Sequence, residues 1–514
     1  MARFYLTTAI DYANGDPHLG HALEKIGADV IARFHRLRGD EVHLLIGMDE
    51  HGQKVQQTAA ARGVAPQAFT DEIASHFQAM WARLGVDYDQ FIRTTDAHHK
   101  AGVRALILRI AERNPDDFYE RSYRGMYCVG CEAFKQDADI NDGKCVLHPT
   151  RTLEDVEERN WFFRLSKYQS FLQELIANNP SFISPESRRN EILGLLAQGL
   201  EDISASRSRL DWAVPFPLPL STGETQGTYV WFDALPNYLT ATGFPDDGYD
   251  ERWPAHLHII GKDITRFHAV IWPAMLHAAG LPLPKQVWAH GFVSLGGERF
   301  SKSAGVKLDL GEAIDRYGAD AFRYVLLREV PFDGDGNFSW ERFEERYTSD
   351  LANALGNLAS RATAMVEKYC DGVVPVAAPT EGEADDTTDI AAYLTAMDGS
   401  RGWLLHEGLA AVGRMTARAN EYTQATAPWQ LAKDPARRDE LEQCLASLIR
   451  RLARQAVLLS PFMPHKAQEL WHALGGPGTV RQHRLPELAT IDAGNWHVTK
   501  GEGLFPRPLP KPVA

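Results

Sequence analysis

The pattern that most constrains this chain comes early: a solid apolar run over residues 4–10, an amphipathic stretch, and a second apolar run over 41–47. Both runs are short and read as buried strands. Between them Leu23, Ile26, Val30, Phe34 and Leu37 recur at helical spacing, and Arg38-Gly39-Asp40 ends that helix. Strand, helix and strand in this order make a βαβ unit, so the strands are expected to run parallel with a right-handed crossover. Ligands of such sheets bind beyond the carboxyl ends of the strands. Asp16-Pro17-His18-Leu19-Gly20-His21 follows the first strand there, and Asp49 follows the second. No GxGxxG run occurs here, so a dinucleotide site is not indicated.

The histidine stretch carries chemistry of its own. His18 and His21 are three residues apart and share a helix face. Pro17 precedes them where a helix can begin. Gly20 removes a side chain where a flat ligand could approach the backbone. Imidazole donors at a helix N-terminus, after a strand, suit an anion such as polyphosphate. Two such histidines can also be incidental, so a partner is needed. Ser301-Lys302-Ser303, after a glycine-rich loop, offers one.

At 514 residues the chain has room for roughly three domains of about 150 residues each. A net charge of −14 argues against general affinity for nucleic acids or membranes, and confines any RNA binding to a local basic face. Asp11 cuts the first apolar run, so no secretory signal is expected. No uninterrupted apolar segment is long enough to span a bilayer. Of five cysteines, three crowd between Cys128 and Cys145, which suits a metal site in a reducing compartment better than a disulfide framework. A cytoplasmic protein is expected.

Helical segments continue to about residue 113, and a texture rich in Tyr, Cys, Gly and Asp begins at Phe118. An apolar, strand-like run returns at Thr228-Tyr229-Val230-Trp231-Phe232. Residues 116–227 therefore read as an insertion splitting an α/β domain made of 1–115 and 228–325. Further strands are expected at 256–260, ending in Gly261-Lys262-Asp263, and at 287–293. A linking segment, 326–350, leads to a helical domain with a C-terminal tail over 351–514. Its apolar residues recur at three and four through 351–369 and 403–474, with Cys370 and Cys444 as small buried hydrophobes. The acidic, Pro- and Gly-containing stretch 371–389 reads as a solvated loop, and the Pro-rich end from Phe505 as a strap or tail.

Within the insertion, Cys128-Val129-Gly130-Cys131, thirteen residues, then Cys145-Val146-Leu147-His148 form a Cys-x2-Cys…Cys-x2-His set. Four such ligands, Cys128, Cys131, Cys145 and His148, fill a tetrahedral zinc shell and leave no position for water, so one structural Zn²⁺ is expected. The short polar segment between them buries little, so the metal would supply much of its folding energy. A redox Cys-x2-Cys would leave Cys145 and His148 unexplained.

Taken together, these motifs resemble a known family. His18-Leu19-Gly20-His21 is similar to the HIGH motif of class I aminoacyl-tRNA synthetases, and Arg299-Phe300-Ser301-Lys302-Ser303 to their KMSKS loop. The order of motifs resembles the methionyl-tRNA synthetases in particular. Tyr12-Ala13-Asn14-Gly15, Asp49-Glu50-His51-Gly52, Asn160-Trp161-Phe162-Phe163, Tyr229-Val230-Trp231-Phe232-Asp233-Ala234 and Gly261-Lys262-Asp263-Ile264 all resemble stretches of that family. Pro461-Phe462-Met463-Pro464 is shared more widely in the subclass.

The resemblance implies an α/β, Rossmann-like parallel-sheet catalytic domain with a zinc-knuckle insertion, followed by an α-helical anticodon-binding bundle. It implies a two-step reaction in which ATP and methionine give methionyl-adenylate and pyrophosphate, and the methionyl group then passes to the 3′ end of tRNA(Met). No enzyme nucleophile is needed, so donors that position and stabilise charge are expected. The implied catalytic groups are His18, His21 and Lys302. ATP would be held by His18, Gly20, His21, Gly261, Asp263, Arg299, Ser301 and Lys302, with Mg²⁺ on its phosphates. Methionine would be held by Asp49 at the ammonium, helped by the backbone of Ile10, and by Tyr12, Trp231, Ala234, Leu235, Tyr238, Ile264, His268 and Trp272 around the side chain. Two departures stand out: Arg299-Phe300 replaces the loop's Lys-Met, and Asp11 stands where the family often has proline.

On the RNA side, Asn357, Arg361 and Trp429 match positions that contact anticodon bases in the family, where a tryptophan can stack on an unpaired base. Arg414, Arg418, Arg450, Arg451 and Arg454 read either as a basic face for phosphates or as ordinary helix pairs. The chain ends soon after the bundle, so a monomer is expected. The competing readings are another class I synthetase, above all the cysteinyl enzyme, and a catalytically inactive tRNA-binding paralogue. The clustered knuckle argues against the first, and the retained His18, His21, Asp49 and Lys302 against the second.

Overall fold

Seven strands build one parallel sheet, and their order determines where ligands can enter. In chain order they are β1 (Arg3–Thr8), β2 (Asp11–Tyr12), β3 (Glu41–Asp49), β4 (Gln90–Arg93), β5 (Ile183–Ser184), β6 (Leu257–Gly261) and β7 (Val287–His290). Across the sheet they run β5-β7-β6-β1-β3-β4, with β2 resuming the pairing on β3 beyond β1. This computed structural model describes residues 2–128, 133–135, 139–146, 148–208, 210–295, 298–299, 309–399, 401–501 and 503–506.

The βαβ expectation holds. Leu6 pairs with Leu44 in parallel register, and α1 (Leu19–Arg38) crosses between the two strands. The helix ends on Gly39, whose φ of 93° is cheap only for glycine. Between β1 and β2 the first strand carries one residue more than β3 opposite it, a bulge that re-aims the chain. Ala9 N still donates to Ile259 O on β6, but the Ala9 carbonyl turns to accept from Lys25 Nζ at 2.8 Å. The central strand thus frays open at its carboxyl end.

Side chains alternate along the strands and feed two cores. Leu6, Leu44, Ile46 and Ile259 join α1 and the C-terminal helices in one continuous cluster. Tyr5, Leu45, Ile260 and Val287 join the insertion and residues 230–279 in the other. The insertion is built on two antiparallel strands, Phe118–Cys128 and Glu154–Phe163, and two helices, Gln169–Asn178 and Glu186–Gln198. It also returns β5 to the edge of the main sheet, against Val287 and Trp288.

Three expectations need correction. The run 228–232 is not a strand: Gly227–Thr228 pairs with Ser206–Arg207, and Val230–Ala234 is helical. Short apolar runs do not separate strand from buried helix by pattern, and burial of Phe232 and Asp233 decides here. The strand at 287–293 is two pieces, because the chain leaves the sheet after His290 and Val293–Leu295 pairs instead with Gly336–Phe338. The acidic stretch 371–389 is only partly a loop. From α2 (Ala319–Glu329) and α3 (Asn357–Cys370) the bundle continues through α4 (Glu381–Ala396), α5 (Leu405–Thr426) and α6 (Arg438–Leu459). Thr380 and Glu383 form a capping box that starts α4 inside that stretch.

The same helix settles the arginines. Arg450 pairs with Glu383 at 2.7 Å, Arg454 with Glu383 at 3.0 Å, and Arg451 grips Asp386 through two bonds. Arg450 and Arg451 are 3% and 1% exposed. Arg414 and Arg418 pair with Asp389. All five arginines are therefore partnered by α4, with Arg450, Arg451 and Arg454 buried there and Arg414 and Arg418 at its solvent edge. Phe505 is buried against Tyr347, whose hydroxyl donates to the carbonyl of Pro506, so the tail begins as a strap. Cys444 is buried and Cys370 half-buried.

One buried arginine joins the domains. Arg323 on α2 is fully buried and donates to Asp29 of α1 at 2.6 Å and to the carbonyls of Pro461 and Phe462 after α6. No helix among the described residues is long and apolar enough to cross a membrane.

Candidate active site

A cleft of about 330 Å³ opens at the carboxyl ends of β1, β6 and β7. It is lined by Ile10, Tyr12, His18, Gly20, His21, Gly261, Asp263 and Ile264 among others, so eight of the residues singled out from the sequence converge on one site.

His18 is the N-cap of α1. Its Nδ1 accepts from the backbone N–H of Gly20 at 3.1 Å and of His21 at 3.4 Å, while His21 Nδ1 accepts from His18 N at 3.3 Å. The rings stack 3.6 Å apart. A nitrogen that accepts a hydrogen bond carries no proton, so both neutral rings keep theirs on Nε2. Two Nε2–H donors therefore stand at a positive helix end. Gly20 lines the cleft and has a local reason as well: a Cβ there would lie 3.1 Å from His18 Cε1 and 3.2 Å from Nδ1, so glycine lets the cap ring fold back.

Below the histidines runs a buried polar line that the sequence reading missed. Lys25 Nζ bonds Ala9 O at 2.8 Å, Glu24 at 2.8 Å and Asp11 at 3.0 Å, using all three of its protons. The other Glu24 oxygen meets His290 Nε2 at 3.1 Å. Burial pushes the Glu24 carboxyl up, but Lys25 and His290 hold it below its ordinary value. Burial drives the Asp11 carboxyl up to about 7 against the pull of Lys25. A signal for Glu24 was present, since it follows His21 by three on the same helix face.

Asp49 and Tyr12 are register partners of β3 and β2; Tyr12 lines the cleft, and Asp49, its neighbour in the sheet, is buried and not among the lining residues. Beside it Tyr238 donates its hydroxyl to His268 Nε2 at 2.6 Å, because His268 Nδ1 spends its proton on Ile264 O at 3.1 Å. Burial drops His268 to about 4, so this ring is neutral at pH 7. Trp231 is half-buried and stacks on Phe267 at 3.7 Å. Ala234 and Leu235 are buried on the same short helical segment. Trp272 is fully buried near Tyr238 and bonds His258 at 3.3 Å; like Trp231, Ala234, Leu235, Tyr238 and His268, it is not among the residues that line the cleft. Asp233, His51 and His99 form a buried constellation; the family-like stretches 49–52 and 229–234 contain His51 and Asp233, but nothing in the sequence paired them or pointed to His99. Asp233 takes hydrogen bonds from His51 Nδ1 and His99 Nε2.

The remaining predicted residues lie elsewhere. Ser301 and Lys302 fall outside the described residues, and of Arg299 only the backbone, in the short strand Glu298–Arg299, is described. Cys131 also lies outside them, as does the side chain of His148. Cys128 and Cys145 are buried together with Leu153, and Cys145 faces His148 across a strand pairing. Among the described residues no group of three His, Cys, Asp or Glu is placed to hold a metal. Far from the cleft, the Arg361 guanidinium sits 5.5 Å over the ring of Trp429, with Asn357 exposed one turn away on α3.

Comparison with known proteins now decides the family. Residues 4–155 and 136–363 match the profile described as "tRNA synthetases class I (M)", and 411–500 match "Anticodon-binding domain of tRNA ligase". The chain belongs to the methionyl-tRNA synthetases. Within this family, a methionine–tRNA ligase of Caldanaerobacter subterraneus is 42% identical over 512 residues, covering 98% of this chain and 78% of that one. A methionine–tRNA ligase of Streptomyces coelicolor is 40% identical over 535 residues, covering 99% and 98%. The solved Mycobacterium tuberculosis methionyl-tRNA synthetase in complex with methionyl-adenylate superimposes with a TM-score of 0.92 at 39% identity, covering 99% of this chain and 100% of that one. The split α/β domain and the helical bundle are thus family architecture.

Proposed function

We propose that this chain is a methionine–tRNA ligase that forms methionyl-adenylate in the cleft between α1 and the ends of β6 and β7. The observation that carries this reading is the pair of imidazoles at the start of α1, their Nδ1 atoms taken up by backbone N–H groups, lining one cleft with Tyr12, Gly261 and Asp263. A methionine carboxylate oxygen attacks the α-phosphorus of ATP, the new O–P bond forms, and pyrophosphate leaves with the electron pair of the broken bond. The Nε2–H groups of His18 and His21 donate to phosphate oxygens as charge builds there. Lys302, supported by Arg299 and Ser301, neutralises the departing pyrophosphate, and Mg²⁺ bound to ATP serves the same charge. Gly261 and Asp263 take the nucleoside.

Asp49 pairs with the methionine ammonium, and Ile10, Tyr12, Trp231, Ala234, Leu235, Tyr238, Ile264 and His268 enclose the thioether, with Trp272 behind them. Sulfur against aromatic rings is a favourable contact. The adenylate then passes its acyl group to the terminal ribose hydroxyl of tRNA(Met), whose anticodon meets Asn357, Arg361 and Trp429. The protein works as a cytoplasmic monomer.

The deciding experiment is ATP–pyrophosphate exchange across all twenty amino acids. Methionine alone should support it, with His21→Ala slowing it by about 10²–10³-fold. Exchange with cysteine would move the assignment, and no exchange from folded protein would favour a tRNA-binding paralogue.

For the insertion we read one structural Zn²⁺ on Cys128, Cys131, Cys145 and His148. The buried Cys128 and Cys145 beside Leu153, and the pairing of Cys145 with His148, fit that donor set. Zinc holds such turns together and does no chemistry. Native mass spectrometry should show one zinc per chain, lost in Cys145→Ala; metal-free native protein would end this reading.

A further inference from the structure

Two pieces of chain must keep a fixed separation for the amino-acid site to work. One is the end of β3, which carries Asp49. The other is the helix Val230–Ala234, which carries Trp231 and Ala234. That helix is five residues long, too short to position itself, so it takes its place from what its side chains are tied to. Asp233 supplies the tie. It follows Trp231 by two residues and is fully buried. Its Oδ2 accepts from Nδ1 of His51, which follows Asp49 by two residues. Its Oδ1 accepts from His99 Nε2 at 3.0 Å, and its own carbonyl from the same nitrogen at 3.1 Å. His99 is held in turn by Thr240 at 2.8 Å. His51 stands edge-on to Trp212 at 5.5 Å, and Trp212 Nε1 donates to Glu50 O.

We propose that Asp233 is a positioning residue of the amino-acid site, clamping the ammonium-binding end to the side-chain-binding end through His51. The proposal rests on the reading above that Asp49 and Trp231 bound the methionine site. Burial pushes the Asp233 carboxyl up, yet His51 and His99 together carry it down to about 2, so it is a carboxylate at any working pH. Charge-assisted bonds of this kind are shorter and stronger than neutral ones. An amide at this position keeps the shape but turns one donor toward an imidazole N–H. A misplacement of about 1 Å between the two halves costs on the order of 10²-fold in rate.

The test is Asp233→Asn in the full-length protein, assayed by pyrophosphate exchange with methionine and with its S-ethyl analogue. The methionine KM should rise by about tenfold with the ATP KM within about twofold, because neither Asp233 nor His51 lines the cleft that holds His18, His21, Gly261 and Asp263. Selectivity for methionine over the S-ethyl analogue should fall as well. His51→Gln, which opens the clamp from the other side and leaves the His99 bond, should reproduce both changes, and it keeps the proposal exposed should Asp233→Asn fail to fold. A fall in kcat alone, an equal rise in both KM values, or unchanged selectivity would make Asp233 merely structural and overturn the clamp. Asp49→Asn in the same assay separates the two ideas. If Asp49→Asn leaves the methionine KM unchanged, the pocket reading fails; if it raises KM while Asp233→Asn and His51→Gln do not, only the clamp fails.

Discussion

Asp11 shows how much one side chain's surroundings matter at this site. One of its oxygens bonds Lys25, and the other has no hydrogen-bond partner among the described residues. With its carboxyl at about 7 in the folded chain and near 3.8 when exposed, the folded state holds a proton more tightly between those values. Its contribution to stability is therefore present at low pH and lost as pH rises through that window. Asp11→Asn cannot lose it, so the variant should gain on the parent from pH 5 to 8, by at most about 1.4 kcal/mol per unit. Melting curves of both chains across that range check this, and a constant gap would refute it. At this scale the sequence was readable where spacing alone places a group, as with His18 and His21. It was not readable where a bulge brings Ala9 O and Asp11 to Lys25, or where a buried carboxylate such as Asp233 finds histidines far away in the chain.

Elements were legible wherever a periodic pattern ran long. The helix of the first βαβ unit and the bundle helices fall where their apolar spacing puts them. The failures in the bundle share one cause. An acidic stretch read as solvated loop and arginines left open between a phosphate face and helix pairs are the two halves of one ionic seam, α4 against α5 and α6, buried on the α6 side. Charge by itself does not say whether its partner is water, RNA or the next helix. A clear contrast follows. Arg451→Met leaves the buried Asp386 only Arg418, at 3.9 Å, and should cost about 3 kcal/mol, read as a lower melting temperature, with tRNA affinity unchanged once folded. Trp429→Ala removes a half-buried ring that lies under Arg361 and should weaken tRNA(Met) binding by about 1–3 kcal/mol with melting little changed. Filter binding and calorimetry on both variants would show whether the roles are reversed.

Across the whole molecule, the catalytic sheet and the helical bundle share one apolar cluster, and Arg323 stitches α1, α2 and the turn after α6 into a single joint. Arg323→Met leaves Asp29 with Arg33 as its remaining cation, at 2.8 Å, and takes a donor from the carbonyls of Pro461 and Phe462, so it should cost about 1–3 kcal/mol, with Arg323→Lys, which keeps the charge, losing less. If Arg323→Lys melts no higher than Arg323→Met, the charge pair is not what holds the joint. Texture set residues 116–227 apart from the sequence around them, but the return of β5 from within that stretch to the main sheet left no mark, because two residues are too few to leave a pattern. The split also dictates what happens while the chain is being made. β1 has β3 beside it soon after both emerge from the ribosome, yet its other neighbour, β6, begins only at Leu257. At synthesis speeds of about 5–20 residues per second, the half-built sheet carries an open edge along β1 for roughly 10–50 s. During that time the strand that ends in the active site is the one most available to a stray partner, and any pause in translating the insertion prolongs its exposure.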